Sequence, residues 1–414
     1  MELKPGYKQT EVGVIPEDWE VHPFSELLDF RNGVNADKHA YGKGVPFINV
    51  LEVITKAHLR KSDIPGRVSI ARGVVDSYAV RRGDLLFNRT SETQEEVGLS
   101  SVYLDEETVV FGGFVIRGRP TNASIDATYS GYAFRAPAIR SQITAKGQGA
   151  IRANIGQADL RQVLVPLPPL PEQRAIAGVL GDVDALLGAL EKLIAKKRDL
   201  KQAAMQHLLT GQTRLPGFSG EWEVRRLGDV AEIVSGGTPR TIVPTYWDGG
   251  VKWCTPTDIT GTAAKYLSET ERTISQAGLA SCSAQLLPAG ALLLCSRATI
   301  GELKIAACEI CTNQGFKSLI ARKGVSYEFL YYLLLTMKPQ MVEKAIGSTF
   351  LEISKKDTAS LEVSFPLFDE QTAIAGVLSD MDDELAGLEA RLAKTRALKQ
   401  GMMQELLTGR VRLV

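Results

Sequence analysis

The chain has 414 residues, of which 44% are hydrophobic and 23% charged, and its 48 Lys and Arg balance 48 Asp and Glu. That length predicts two or three domains, and the zero net charge argues against a lone, non-specific nucleic-acid binder while leaving room for a local basic groove. Without an 18-residue apolar run or a basic-then-apolar leader, a cytoplasmic chain with no membrane span is expected. The cysteines, Cys254, Cys282, Cys295, Cys308 and Cys311, are odd in number and confined to the second half, which argues against a disulfide framework. Cys308 and Cys311 have zinc-ligand spacing, but His22, His39, His58 and His207 all lie in the first half. Buried free thiols are therefore expected, and no metal site.

In chain order, the first segment alternates short apolar runs, "VPFINV", "GDLLFN" and "TVVFGGFVIR", with Gly, Pro and Asp clusters, the pattern of a mixed α/β domain. A long helical pattern follows from Glu172. Leu180, Val183, Leu187, Leu190 and Ile194 fall on alternating three- and four-residue steps; polar Lys197 and Lys201 and then Ala204 and Leu208 keep the register. This is a heptad seam that packs along one partner helix. A second α/β segment, with "ALLLCS", "FKSLIA" and the helical "SYEFLYYLLLTMKPQMVEKAI", leads into another copy of the helix. Its seam is Leu378, Met381, Leu385, Leu388 and Leu392, then Thr395, Lys399, Met402 and Leu406. Pro171 suits a first helical turn, Asp369 suits an N-cap, and the glycine of "LTG" suits the C-terminal cap of each copy.

From Glu172 and Glu370 the two copies align without a gap, roughly 27 of 44 positions being identical. The match continues more weakly upstream: Ile155 faces Ile353, "GVPFIN" faces "GVKWCT", and "DWEV" faces "EWEV". The predicted organisation is domain 1–165, helical region 166–215, domain 216–364 and helical region 365–414. Two seams in one chain satisfy one another most simply as an antiparallel pair. The expected fold class is α/β (α+β): two globular domains separated by two long helices that form an intramolecular antiparallel coiled coil with pseudo-twofold symmetry. Two similar readers at a set separation would be a measuring device; a purely structural coiled-coil scaffold is the plainer alternative.

The helix strings "PLPEQRAIAGVL" and "LKQAAMQHLLTGQTRLPGF", the N-terminal "GYKQTEVGVIPEDWEV", and "YWDGGVKW", "SRATIGELKIA" and "TNQGFKSLI" in the second domain resemble the DNA-specificity subunit of bacterial type I restriction–modification systems over essentially the whole chain. The resemblance implies two target-recognition domains, each reading one half of a split, asymmetric site in double-stranded DNA. It also implies helices that set the gap and dock two modification subunits, which carry S-adenosylmethionine and methylate adenine, and a restriction subunit that translocates and cleaves DNA. On this reading the chain has no catalytic residues and binds no cofactor. The competing reading is a stand-alone adenine methyltransferase or nuclease. A methyltransferase would need an Asp/Asn-Pro-Pro-aromatic string to hold a flipped base, and the nearest match, "LPPLPE", is better placed as a rigid lead-in to a helix.

Base readers should lie on loops beside strand ends. The first domain offers Asn88, Arg89, Thr90 and Ser91, then Arg117 and Arg119. The second offers Ser296, Arg297, Thr299, Lys304, Asn313, Gln314 and Lys317, with Lys252 and Trp253 behind them. Strand termination and turn hydrogen bonds are the competing role for each. Lys192, Lys196, Arg198, Lys394 and Arg396 are expected as exposed helix cations, and Asp182, Asp184, Asp380 and Asp382 as acids suited to partner docking.

Overall fold

The computed structural model describes residues 5–149, 152–347 and 351–413. It divides into two compact units, Met1–Glu191 with Arg391–Val414, and Lys192–Ala390.

In the first unit a five-stranded sheet runs Leu28–Asn32, Val115–Pro120, Leu85–Asn88, Ser100–Tyr103 and His58–Leu59, with only the last pair parallel. The strands Leu85–Asn88 and Val115–Pro120 are interior to the sheet, and Leu85–Asn88 and Val115–Gly118 are buried throughout without alternation. Phe24, Phe30, Phe87 and Phe134 meet edge-on or tilted in the main core, under the helices Ala127–Ala133 and Pro137–Lys146. A second, three-stranded sheet of Val110–Phe111, Tyr41–Ile48 and Arg67–Val68 extends from one end. Glu20–Pro23 pairs with Leu164–Leu167, drawing the start and finish of the domain together where the long helix begins.

The second unit repeats this scaffold. Its five strands, Ala231–Ser235, Lys317–Ala321, Leu292–Leu294, Leu303–Ala306 and Tyr266–Leu267, take the same order and directions. Its small sheet combines Arg272–Ile274, Trp247–Cys254 and Cys311–Thr312. A bulge shifts the register between Tyr41 and Val45 opposite Val68, and another between Trp247 and Val251 opposite Ile274. Ile155 N–H donates to the Arg89 carbonyl as Ile353 N–H does to that of Ser296, so those two isoleucines are equivalent in space as well as in sequence.

The long helices are Leu170–Leu208 and Phe368–Leu406, 39 residues each, or about 58 Å of helix apiece. Asp369 lies inside the first turn of the second helix; it complements the dipole there and does not act as the N-cap. Gly211 and Gly409 close the two copies with φ of 70° and 69°, the left-handed conformation in which a Cβ is costly.

Within each unit the two helix segments run antiparallel. Lys399 bonds Asp184 at 2.6 Å and Arg396 bonds Glu191 at 2.6 Å in the first. Lys197 bonds Glu384 at 2.8 Å, Arg198 bonds Glu389 at 2.5 Å and Lys201 bonds Asp382 in the second. Of the seam, Leu180, Leu190, Ile194, Leu208, Leu378, Leu385 and Leu406 are buried, while Val183, Leu187, Met381, Leu388 and Leu392 are half-buried.

Asp184 also accepts from the Tyr132 hydroxyl at 2.7 Å, and Asp382 from that of Tyr332 at 2.6 Å. These acids pin each globular domain to its own helices, so their place is inside the unit and they are not free for partner docking. Arg198 and Arg396 are likewise engaged by Glu389 and Glu191.

At the root of the first helix Glu172 is fully buried. It accepts from Trp19 Nε1 at 2.9 Å and from Arg412, which also grips Asp18. Tyr7 donates to the Gly409 carbonyl at 2.9 Å. In the second unit Arg214 grips Glu370 in the same fork, at 2.5 and 2.6 Å. The N- and C-terminal segments of the chain thus build in the first unit, through non-covalent contacts, the junction that the continuous chain 208–226 builds in the second.

Candidate nucleic-acid interface

Three features of the topology bring loops to one end of each five-stranded sheet. In the first unit the strands Leu28–Asn32 and Leu85–Asn88 finish there, and Val115–Pro120 starts there. Segments 33–37, 89–98 and 112–114 therefore converge, joined by Ala153–Asn154, which pairs with Thr90–Ser91. In the second unit the corresponding segments are 236–243, 295–302 and 313–315, with Glu352 bridging Arg297.

Several of the sequence-predicted residues lie at these ends, whereas Arg119, opposite Asp29, lies toward the far end of its strand and Lys252 and Trp253 lie on the small sheet. Most of their polar groups are engaged by the fold. Asn88 is fully buried and donates to the Glu96 carbonyl at 3.0 Å, while its Oδ1 is buried without a hydrogen-bond partner. Ser91 is buried against Glu96, and Thr90 donates to Asn154 at 2.6 Å. Arg117 is 4% exposed, donates to the Ala79 carbonyl at 2.7 Å, and burial lowers its pKa. Arg119 forms a two-pronged pair with Asp84, at 2.8 and 2.6 Å. Asn88, Ser91, Arg117 and Arg119, expected as base readers, have their polar groups engaged within the fold in this structure.

The second domain gives the same result. Ser296 is fully buried, and Lys317, 7% exposed, bonds Glu352 at 3.0 Å. Lys252 bonds Glu269 at 3.0 Å and lies 3.6 Å from Cys308 Sγ; the Glu269 contact chiefly raises its pKa. Trp253 is buried with Nε1 on the Gly237 carbonyl. Asn313 closes a turn by accepting from Gly315 N–H at 2.8 Å. Thr299 Oγ1 is buried and unpartnered, and burial lowers the pKa of Lys304, which lies on an interior strand of the sheet. Ser296, Lys317, Trp253 and Thr299 Oγ1 are thus buried, while Lys252 and Asn313 are half-buried and bonded within the domain.

Left facing outward are Arg89, half-buried with Nη1 3.4 Å from the Gly113 carbonyl, Arg297, and exposed Gln314, which accepts from Thr238. Arg297 precedes Ala298, a non-glycine residue at φ 64°, so that loop holds local backbone strain.

A cationic group that the sequence reading passed over lies around the first small sheet. Arg31, Lys38, Lys43, Arg67 and Arg72 are all exposed, and none forms an ion pair with the described residues. The backbone ties them together: Ser69 N–H donates to the Ala40 carbonyl, Tyr41 pairs with Val68, and the Arg31 guanidinium lies 4.8 Å over the Tyr78 ring. Elsewhere on the same domain, by contrast, Arg60, Lys61 and Arg82 are matched by Asp105, Glu107 and Glu106. Unneutralised cations on one surface attract phosphates. The signal was present in "DKHAYGKGVP", where Lys38 and Lys43 flank a glycine bulge with only Asp37 beside them.

In the second small sheet the matching region is an exposed arginine over a buried aromatic pair. Trp247 and Trp253 meet edge-on at 5.1 Å, and the Arg272 guanidinium stacks 3.7 Å over Trp247. The scaffold is held constant while the chemistry of its open end differs, which suits two readers of different sequences.

The fold and its two open ends describe a duplicated recognition scaffold, and comparison with known proteins places it. A family model described as the type I restriction modification DNA specificity domain matches twice, over residues 16–201 and 219–395. The chain belongs to that family, whose members are non-catalytic DNA-recognition components of type I restriction–modification systems. Two curated relatives come from Methanocaldococcus jannaschii. The specificity subunit of the MjaIX type I restriction enzyme is 39% identical over 174 residues, 42% of this chain and 40% of that one. The MjaVIII specificity subunit is 23% identical over 422 residues, 96% of this chain and 94% of that one. Among solved structures, the S subunit of a type I system from M. genitalium aligns with TM-score 0.57 at 15% identity, over 98% of each chain. The HsdS subunit from Thermoanaerobacter tengcongensis aligns with TM-score 0.52 at 18% identity, over 96% of this chain and 98% of that one. These two likenesses concern the fold. No helix among the described residues is long and apolar enough to cross a membrane.

Proposed function

We propose that this chain is the sequence-reading subunit of a cytoplasmic type I restriction–modification complex, each globular domain reading one half of a split, asymmetric site in double-stranded DNA. The long helices set the gap between the halves and dock two modification subunits. Those partners carry S-adenosylmethionine and methylate adenine, and a restriction subunit completes the complex. The observation that carries this reading is the duplicated scaffold whose open ends differ: several unpaired cations surround the first small sheet, whereas the second presents Arg272 over a buried Trp247–Trp253 pair. Phosphate contacts fix register and base-edge contacts choose sequence, so one scaffold with two loop sets supplies two half-site readers.

The test is to map methylated adenines across the source genome with and without this protein. Loss of methylation at one bipartite motif is expected. Methylation of plasmid DNA by the chain alone would favour the enzyme reading, and binding with modification subunits but no base preference would favour the scaffold.

A further inference from the structure

Each domain exposes a large apolar side chain at the loop end of its sheet, from a loop that its counterpart does not share. In the first domain it is Phe114, 62% exposed. The turn Gly112–Val115 is closed by Val115 N–H donating to the Gly112 carbonyl at 2.9 Å, and the Phe114 carbonyl accepts from Arg89 N–H at 2.8 Å. In the second domain the Gly315 carbonyl accepts from Ser296 N–H at 2.8 Å, so Gly315 occupies the place of Phe114 and no side chain projects there.

The second domain supplies its apolar group from another loop. Gly33 and Gly236 are equivalent, a Cβ on either meeting a carbonyl oxygen, of Gly112 or Asn313, at 2.0 Å. From Gly33 the chain takes five positions to the short turn beginning at Lys38, whereas from Gly236 it takes eight to the one beginning at Pro244. The longer segment carries Ile242, 84% exposed. It is tied by two hydrogen bonds: Val243 N–H donates to the Arg240 carbonyl at 3.2 Å and Trp247 Nε1 to the same oxygen at 3.3 Å.

Lone surface hydrophobics are ordinary, but these two are set on closed turns among polar groups. The Arg89 guanidinium and the carboxamide of Asn35 lie against Gly113, beside Phe114; exposed Arg240 and Thr241 precede Ile242. An apolar side chain on a hydrogen-bonded turn with a cation beside it fits a wedge at a base step, where the cation takes a phosphate and the side chain enters the stack.

We infer that Phe114 and Ile242 are the two inserting side chains of this protein, each unstacking one base step in the half-site its own domain reads. The inference rests on the DNA-reading function proposed above. Insertion makes local deformability part of the recognised sequence, because pyrimidine–purine steps open most easily.

The test uses the full chain. Selection from random duplex DNA first defines the bipartite site; recovery of no sequence would sink the DNA-reading function itself, separately from this inference. 2-Aminopurine is then placed at each position of both half-sites. Binding by the unaltered chain should raise fluorescence severalfold at one step in each half. Phe114→Ala should remove the rise in one half only and Ile242→Ala in the other only, with melting temperatures unchanged because both side chains are exposed. Phe114→Leu should keep part of the rise. Bound DNA with no rise at any position would overturn the inference, as would a rise that survives both alanine variants. Loss of a modification subunit from the Phe114→Ala complex, with the rise intact, would overturn it in favour of a protein contact.

Discussion

Asp84 accepts two hydrogen bonds from Arg119 and lies 4.0 Å from Arg117, and it is 1% exposed. Removing one partner of such a pair strands the other, so Asp84→Asn should cost about 3 kcal/mol in urea unfolding and leave the base preference of the folded protein unchanged. A shift of base preference in Arg119→Ala without loss of stability would return Arg119 to the reading surface. His58 Nε2 lies 2.8 Å from the Thr128 carbonyl, and burial is the largest influence on its pKa, which is lowered; Asp184 acts against this, and Lys399 and Arg135 with it. The folded state therefore favours the neutral ring. Its stabilisation is fully present above the unfolded value of about 6.5 and is lost as pH falls below it toward the folded value. His22, whose pKa is raised chiefly by Glu26, contributes with the opposite slope. Melting measured from pH 7.5 to 5 should accordingly show a shallower acid loss in His58→Gln than in the unaltered chain. Residue roles were the least legible part of the sequence. "GDLLFN" and "VIRGRP" form interior strands buried without alternation over Leu85–Asn88 and Val115–Gly118, so no period marks which polar side chain faces inward, and Asn88 and Arg117 look alike before and after burial.

The long helices were legible because their signal is local: apolar residues every three or four positions fix the buried stripe whatever the surroundings. What the period cannot reveal is why Lys201 and Lys399 interrupt it. Each answers an aspartate that also holds a tyrosine of the domain packed on that helix, Lys201 with Asp382 and Tyr332, Lys399 with Asp184 and Tyr132. Polar groups at seam positions fix register at some cost in stability. Asp184 is partly exposed, so Asp184→Ala should cost only about 1 kcal/mol, and a double-mutant cycle with Tyr132→Phe should show coupling. Exchange of the pair, Asp184→Lys with Lys399→Asp, should recover more stability than either single change retains; equal losses in all three would mean the pair does not set register. The small sheets were legible as strands, but their bulges at Tyr41 and Trp247 depend on long-range partners that no local string encodes.

At the scale of the molecule the duplication was visible in the sequence, and the structure adds how the first copy is completed. Arg412 reaches Glu172 and Asp18, so the segment around Arg412 packs onto the N-terminal part of the same unit. Arg412→Ala leaves the fully buried Glu172 carboxylate with Trp19 Nε1 as its remaining side-chain donor. It should destabilise the first unit by about 3 kcal/mol in calorimetry while the second unit melts unchanged. Two units that differ at their loops and repeat in their scaffold should also read independently. The most direct measurement is DNA-site selection by the full chain, with its modification subunits, before and after residues 24–163 are replaced by the corresponding segment of another family member. One half of the selected site should change while the other half and the gap stay fixed. If both halves change, or the gap moves, the two domains do not act as separate readers on a common scaffold.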